Sequence, residues 1–186
     1  MTVFLETEDK YTLAEFPVEN SELEELIQQF DGQTKVQVTI PEKYNVDLPY
    51  HVYDRKFTAD IGRVNLFAER LEQLDSMEIA VMESLLCAGI ISDFEEIITA
   101  SYSLDSVPVW PCNDSAELTQ MAFDNNMLPE LRNCPCEIID LLDTEKVAER
   151  VLNEHNAIMI DGYYCEPAHY QNLRSTEEHE TLTMGM

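Results

Sequence analysis

The sequence predicts an α+β protein made of three small subdomains in a row. Three observations predict it. Through the first sixty residues apolar side chains alternate with polar ones, the period of a half-buried strand. From about Ile61 the apolar period becomes 3.6, the period of a helix. Beyond residue 104 two prolines interrupt the helical run, and mixed strand and helix patterns return. The expected division is an α+β unit over 1–60, a helical unit over 61–103, an α+β unit over 104–167 and a polar tail over 168–186.

Each element has its own signal. Residues 2–7 and 11–16 alternate around Glu8-Asp9-Lys10 and predict a hairpin that Pro17 stops. A helix follows, with Ser21 and Glu24 spaced as a capping box. Leu23, Leu26, Ile27 and Phe30 share its inner face, and Gly32 ends it. Residues 35–40 alternate up to Pro41, and 48–54 offer a further strand. Val64, Phe67, Ala68, Leu71 and Leu74 line one face of the next helix. Ser76 is placed to cap a second helix with Ile79, Met82, Leu85 and Leu86 inside and Glu78 and Glu83 outside, broken at Gly89. Ser92 and Glu95 form a box opening a third, with Phe94, Ile97, Ile98 and Ser101 inward. A short strand near 107–110, a helix over 115–126, one helix or two joined near Asp143, and a closing strand ended by Gly162 complete the pattern. From Ala168 the chain is polar and reads as peripheral.

Charge narrows the function. Eleven basic residues face 37 acidic ones, a formal net of -26. Sequence-independent binding to DNA, RNA or an anionic membrane needs basic surface and is excluded. The hydrophobic content of 45% separates the chain from acidic disordered segments. The start has no basic region followed by an apolar run, and no stretch is long and apolar enough to span a bilayer; a cytoplasmic protein of a bacterial host cell is expected. Five cysteines at irregular spacing, Cys134 and Cys136 among them, are no disulfide framework and predict reduced, mostly buried thiols. No cofactor and no metal are expected, since no CxxC pair, HExxH, calcium loop or phosphate-cradling glycine motif occurs. Nor is there a GxSxG elbow, and His155 at a polar helix end reads as solvated, so an enzyme is not expected.

The acidic residues carry the remaining information. Between Arg70 and Arg132 there is no lysine or arginine, and twelve carboxylates fill the gap. A glutamate paired with a lysine four residues on stabilises an exposed helix, yet this stretch has no such pair. A solvated face accounts for modest negative charge and less well for so complete an exclusion. Imitation of nucleic acid accounts for it better. B-DNA carries one charge per roughly 1.7 Å, so a net of -26 matches about 44 Å of duplex. Candidates for phosphate-like positions are Glu69, Glu72, Asp75, Glu78, Glu83, Asp93, Glu95, Glu96, Glu117 and Asp124. The alternative of a different class is an acidic regulatory module that docks a basic protein.

Several segments resemble the ArdA antirestriction family. "IGRVNLFAERLEQLD" is similar to its central-helix segment, with Asn65, Ala68, Leu71, Leu74 and Asp75 matching. "IITASYSLDSVPVWP", "LPELRNCPCEIIDLLDTEKVAER" and "AIMIDGYY" resemble, in order, its later segments, so the likeness covers about residues 60–165. Thr144 and Ala148-Glu149 depart from the family's aromatic and Gly-Arg positions. The resemblance implies an elongated, three-part acidic homodimer that occupies the DNA groove of type I restriction-modification enzymes and has no catalytic residues. It implies a dimer contact in the last part, for which Ile138, Leu141 and Leu142 are candidates. An acidic inhibitor of a CRISPR effector nuclease would share the mechanism and is the neighbouring alternative.

Overall fold

A computed structural model describes residues 1–132 and 135–171. The protein is α+β and falls into two compact units, Met1–Leu104 and a second beginning at Asp105.

The first unit is built on a four-stranded antiparallel sheet of order β2-β1-β3-β4. Strands β1 (Thr2–Glu6) and β2 (Tyr11–Glu15) form the expected hairpin, with Phe4 opposite Leu13. Helix α1 (Asn20–Gln29) leads to β3 (Lys35–Thr39), which pairs with β1 and with β4 (Lys56–Asp60). Alternation sends Val3, Leu5, Val36, Val38, Phe57 and Ala59 to one buried face, in register: Leu5 faces Val38, and Val38 faces Phe57. The expected strand over 48–54 is instead a 3-10 turn at Tyr50–Val52. Pro49 extends the backbone into that turn, and the strand forms at Lys56–Asp60 instead, where Phe57 and Ala59 supply the alternation.

Helices α2 (Ile61–Leu71) and α4 (Phe94–Ser101) cover the buried face, and α3 (Ser76–Cys87) packs on α4 and on the turn at Tyr50–Val52. The break expected after residue 60 is therefore no break in packing. Helix α2 follows β4 directly, both α2 and α4 contact β4, and Phe94 sits between Phe57 and Phe67 at ring distances of 5.5 and 5.4 Å. A sheet with one apolar face needs a layer over it, and the helical stretch supplies that layer. Asn65 joins α2 to the segment after β2. Its Oδ1 accepts from Val18 N at 2.7 Å and its Nδ2 donates to Val18 O at 3.2 Å, so both polar groups of that peptide are satisfied.

The capping residues differ by one position from expectation. Asp75, not Ser76, caps α3, and Asp93, not Ser92, caps α4, each in a full capping box with Glu78 and Glu96. Both Ser92-Glu95 and Asp93-Glu96 have the required spacing, and the aspartate is the one that occurs at the helix start. Helix α1 has no side-chain cap; Ser21 lies inside it, after Glu19. Gly89 ends α3 at φ +67°, where Ile90 N donates to Leu85 O and Gly89 N to Leu86 O, both at 3.0 Å, a Schellman ending.

The second unit holds a three-stranded antiparallel sheet, β5 (Val109–Pro111), β7 (Tyr163–Cys165) and β6 (Ile158–Ile160), in the order β5-β7-β6. The closing segment is a hairpin rather than one strand: Asp161 and Gly162 both have positive φ, as a two-residue type I′ turn requires. Helices α5 (Ser115–Asp124) and α6 (Thr144–His155) pack on each other, the latter capped by Asp143 after a 3-10 stretch at Cys136–Leu141. Leu118, Ala122, Leu128, Val151 and Tyr164 form their core. Tyr170, read from the sequence as part of a peripheral tail, is buried, while residues 172–186 of that tail lie outside the described residues.

Candidate functional site

Seven of the ten candidate carboxylates are exposed, Glu78 and Glu96 are partly buried, and Glu83 is buried. Glu69 and Glu72 lie on the outer side of α2 and at its end. Glu69 accepts from Asn65 Nδ2 at 3.0 Å. Asp75 and Asp93 are exposed, and each receives the N3 backbone N–H at 2.8 Å. Glu78 returns the bond to Asp75 N at 3.0 Å and also meets Arg70 Nη2 at 3.0 Å. Glu96 accepts from Ser92 N at 2.9 Å. Glu95 is exposed and paired with Arg63 at 2.8 Å. In the second unit Glu117 accepts from Asn113 N at 2.8 Å, and Asp124 from Gln120 Nε2 at 2.9 Å. A backbone amide or a carboxamide stabilises a carboxylate without cancelling its charge, so these acids remain sources of negative potential. Glu78 and Glu95 are offset by arginines to a larger degree.

Glu83 corrects the sequence reading. Expected on an outer ridge, it is 3% exposed. Residues 80 to 86 of α3 are all buried, because α3 is held between α4 and the turn at 50–52 and has no solvent side at its middle. The carboxylate is satisfied by that turn: His51 N donates to Oε2 at 3.1 Å, and His51 Nδ1 contacts Oε1. Glu83 therefore belongs to the structural core of the first unit.

Three of the four lysines of the first unit are gathered at the sheet, and Lys43 lies in the turn at Glu42–Tyr44. Lys10, Lys35 and Lys56 share an open groove of about 650 Å³ with Glu6, Glu8, Asp9 and Asp31. Lys10 pairs with Asp31 at 2.7 Å and Lys56 with Glu6 at 2.9 Å. Helices α3 and α4 carry no basic residue.

Of the candidate dimer residues, Ile138 and Leu141 are exposed, Leu141 to 82%, whereas Leu142 packs against the core of the second unit. Cys112 and Cys165 are buried thiols in no disulfide and Cys87 is an exposed one; burial pushes the Cys112 thiol upward. Cys134 lies outside the described residues, as does the side chain of Cys136. Among the described residues no group of three or more His, Cys, Asp and Glu is disposed to hold a metal ion, and no helix is long and apolar enough to cross a membrane.

Sequence reasoning missed one polar cluster. Glu166 is buried, accepts from Tyr164 Oη at 2.8 Å, and has His155 Nδ1 and His169 Nδ1 at 3.3 and 3.2 Å. His155, expected to be solvated, lies between Glu166 and the Met127 carbonyl, 3.2 Å from its Nε2. Burial first, and then the bond to Glu166, hold the Tyr164 phenol far above its ordinary range. These residues come from β7, α6 and the turn after β7, so no local spacing announces them.

No family model, no curated protein and no solved structure matches the chain.

Proposed function

We propose that the protein is a DNA-mimic inhibitor of a DNA-targeting defence nuclease, acting by occupying the enzyme's DNA groove rather than by chemistry, with a type I restriction-modification enzyme as the first target. The observation that carries the reading is the one-sided display of charge. Of the twelve carboxylates between Arg70 and Arg132, nine are exposed: Glu72, Asp75, Asp93, Glu95, Asp105, Asp114, Glu117, Asp124 and Glu130. No basic side chain from that stretch balances them. An inhibitor of this kind replaces the counterion-rich DNA in a basic groove, and association is accelerated by its field. The resemblance of residues 60–165 to the ArdA family supports the choice of target, and exposed Ile138 and Leu141 support a homodimer contact in the second unit.

The test is competition for labelled target DNA, with a type I restriction enzyme and a CRISPR effector nuclease in parallel, at two salt concentrations. Displacement that weakens steeply with salt is expected for the restriction enzyme; displacement confined to the CRISPR effector moves the target. Simultaneous reversal of Glu69, Glu72, Glu117 and Asp124 to lysine spares the capping aspartates and should abolish displacement in a folded protein. Equal displacement by that folded variant, or none by the wild type from either enzyme, refutes mimicry and leaves an acidic module for a basic protein partner.

A further inference from the structure

The second unit contains a cavity that the charge display does not use. Its volume is about 210 Å³, and Trp110, Met121, Asn125, Met127, His155 and Glu166 line it. Its walls are an indole, two thioethers and a carboxamide, and its one anionic lining group is a carboxylate 7% exposed. Ligand pockets for whole small molecules start at about 300 Å³, so this one is the size of a single long side chain.

The lining is arranged for one positive charge beside Glu166. Both ring nitrogens of His155 face acceptors: Nδ1 lies 3.3 Å from Glu166 Oε1 and Nε2 lies 3.2 Å from Met127 O. A neutral imidazole has one N–H and satisfies one of them; the imidazolium satisfies both. A proton on His155 is thus one way to supply the charge.

We propose that this cavity is a socket for an arginine side chain of the protein's target, whose guanidinium takes the place of the His155 proton against Glu166. The thioethers of Met121 and Met127 suit an aliphatic stem. Trp110 lines the same space, where an indole attracts a planar cation, and Glu166 accepts its forked N–H groups. A net charge of -26 draws cations to the socket and repels anionic ligands. Buried arginine anchors often dominate protein interfaces, which gives a diffuse electrostatic contact a defined register. That the arginine comes from a nuclease's DNA groove rests on the proposed function; that the cavity takes a guanidinium does not.

The groups facing Glu166 are Tyr164 from β7, His155 from α6 and His169 from the turn after β7. Trp110 is the chain's single tryptophan and lines the socket, so its fluorescence reports binding there. The full chain is titrated with ethylguanidinium at constant ionic strength, with ethylurea and sodium chloride as controls. The expected result is a saturable change with a dissociation constant of about millimolar order. Glu166→Gln keeps an acceptor for Tyr164 and should weaken binding by about tenfold or more. A matching response to ethylurea or an unchanged Glu166→Gln variant overturns the socket. If that variant does not fold, the wild-type comparison of ethylguanidinium with ethylurea decides. Ethylguanidinium binding by a protein that displaces no DNA upholds the socket and removes the nuclease reading. A folded Glu166→Gln variant that loses the guanidinium yet displaces DNA as well as wild type overturns the assignment of the arginine to the target.

Discussion

His51→Ala tests whether Glu83 is part of the core rather than of the acidic surface. The substitution removes the ring that contacts Glu83 Oε1 and leaves the backbone bond from His51 N at 3.1 Å. A hydrogen bond to a charged group contributes about 1.5–3 kcal/mol. Breaking a fully buried ion pair costs about 3–5 kcal/mol, because one charge is left without compensation. The side chain of Glu83 is 4% exposed and that of His51 44%, so water can partly replace the ring. The lower range therefore applies, and a loss of about 2 kcal/mol is expected. Urea denaturation of the full chain, followed by far-ultraviolet circular dichroism, measures it. Adding Glu83→Gln should recover part of the loss, since the amide still accepts from His51 N and leaves no charge to compensate. The control is Glu72→Gln, which neutralises an exposed acid and should stay within about 0.5 kcal/mol of wild type. If His51→Ala is indistinguishable from that control, the buried pair does not hold the first unit together and the separation of Glu83 from the surface acids is wrong.

Three further outcomes follow from the packing. Phe94→Ala should cost roughly 3–5 kcal/mol in the same denaturation, because its ring is 1% exposed between Phe57 and Phe67; a loss near zero would mean that α4 does not seat on the sheet. Asp93→Ala should cost about 1 kcal/mol by removing the cap of an eight-residue helix, and Asp93→Asn should recover most of it, which separates capping from charge. The Tyr164 phenol is raised from 10.0 in the folded state, so the contribution is complete below pH 10.0 and is lost as the pH climbs above it, when the unfolded chain ionises first. Tyr164→Phe should flatten that alkaline decline; an equally steep decline in the variant would place its cause elsewhere.

Much of the fold is legible in the order of residues. The hairpin, the inner faces of α2 and α4, the stop at Gly89 and the junction at Asp143 all follow from side-chain period and terminal residues, which are local properties. Two further elements carry local signals of their own: β4, in the alternation of Phe57 and Ala59, and the final hairpin, in Asp161-Gly162. The acids show where local reading ends. Period alone ranks the sides of a helix, and it placed Glu69, Glu72 and Glu95 outside, as observed. It placed Glu83 outside as well, because it cannot show that α3 has neighbours where an outer face was expected.

By itself the sequence determined the α+β class, the positions of most helices and the excess of negative charge, because each depends on neighbours in the chain or on simple sums. The tertiary structure alone decided that the stretches before and after residue 60 form one unit, since the sheet's apolar face needs the helices as its cover. It also decided that Glu83 and Glu166 are interior acids with histidine partners. Glu83 meets His51 from 32 residues away, and His155 meets Glu166 across the α6–β6–β7 turn. A carboxylate leaves the surface only where donors converge on it, and that convergence is a property of the packed chain.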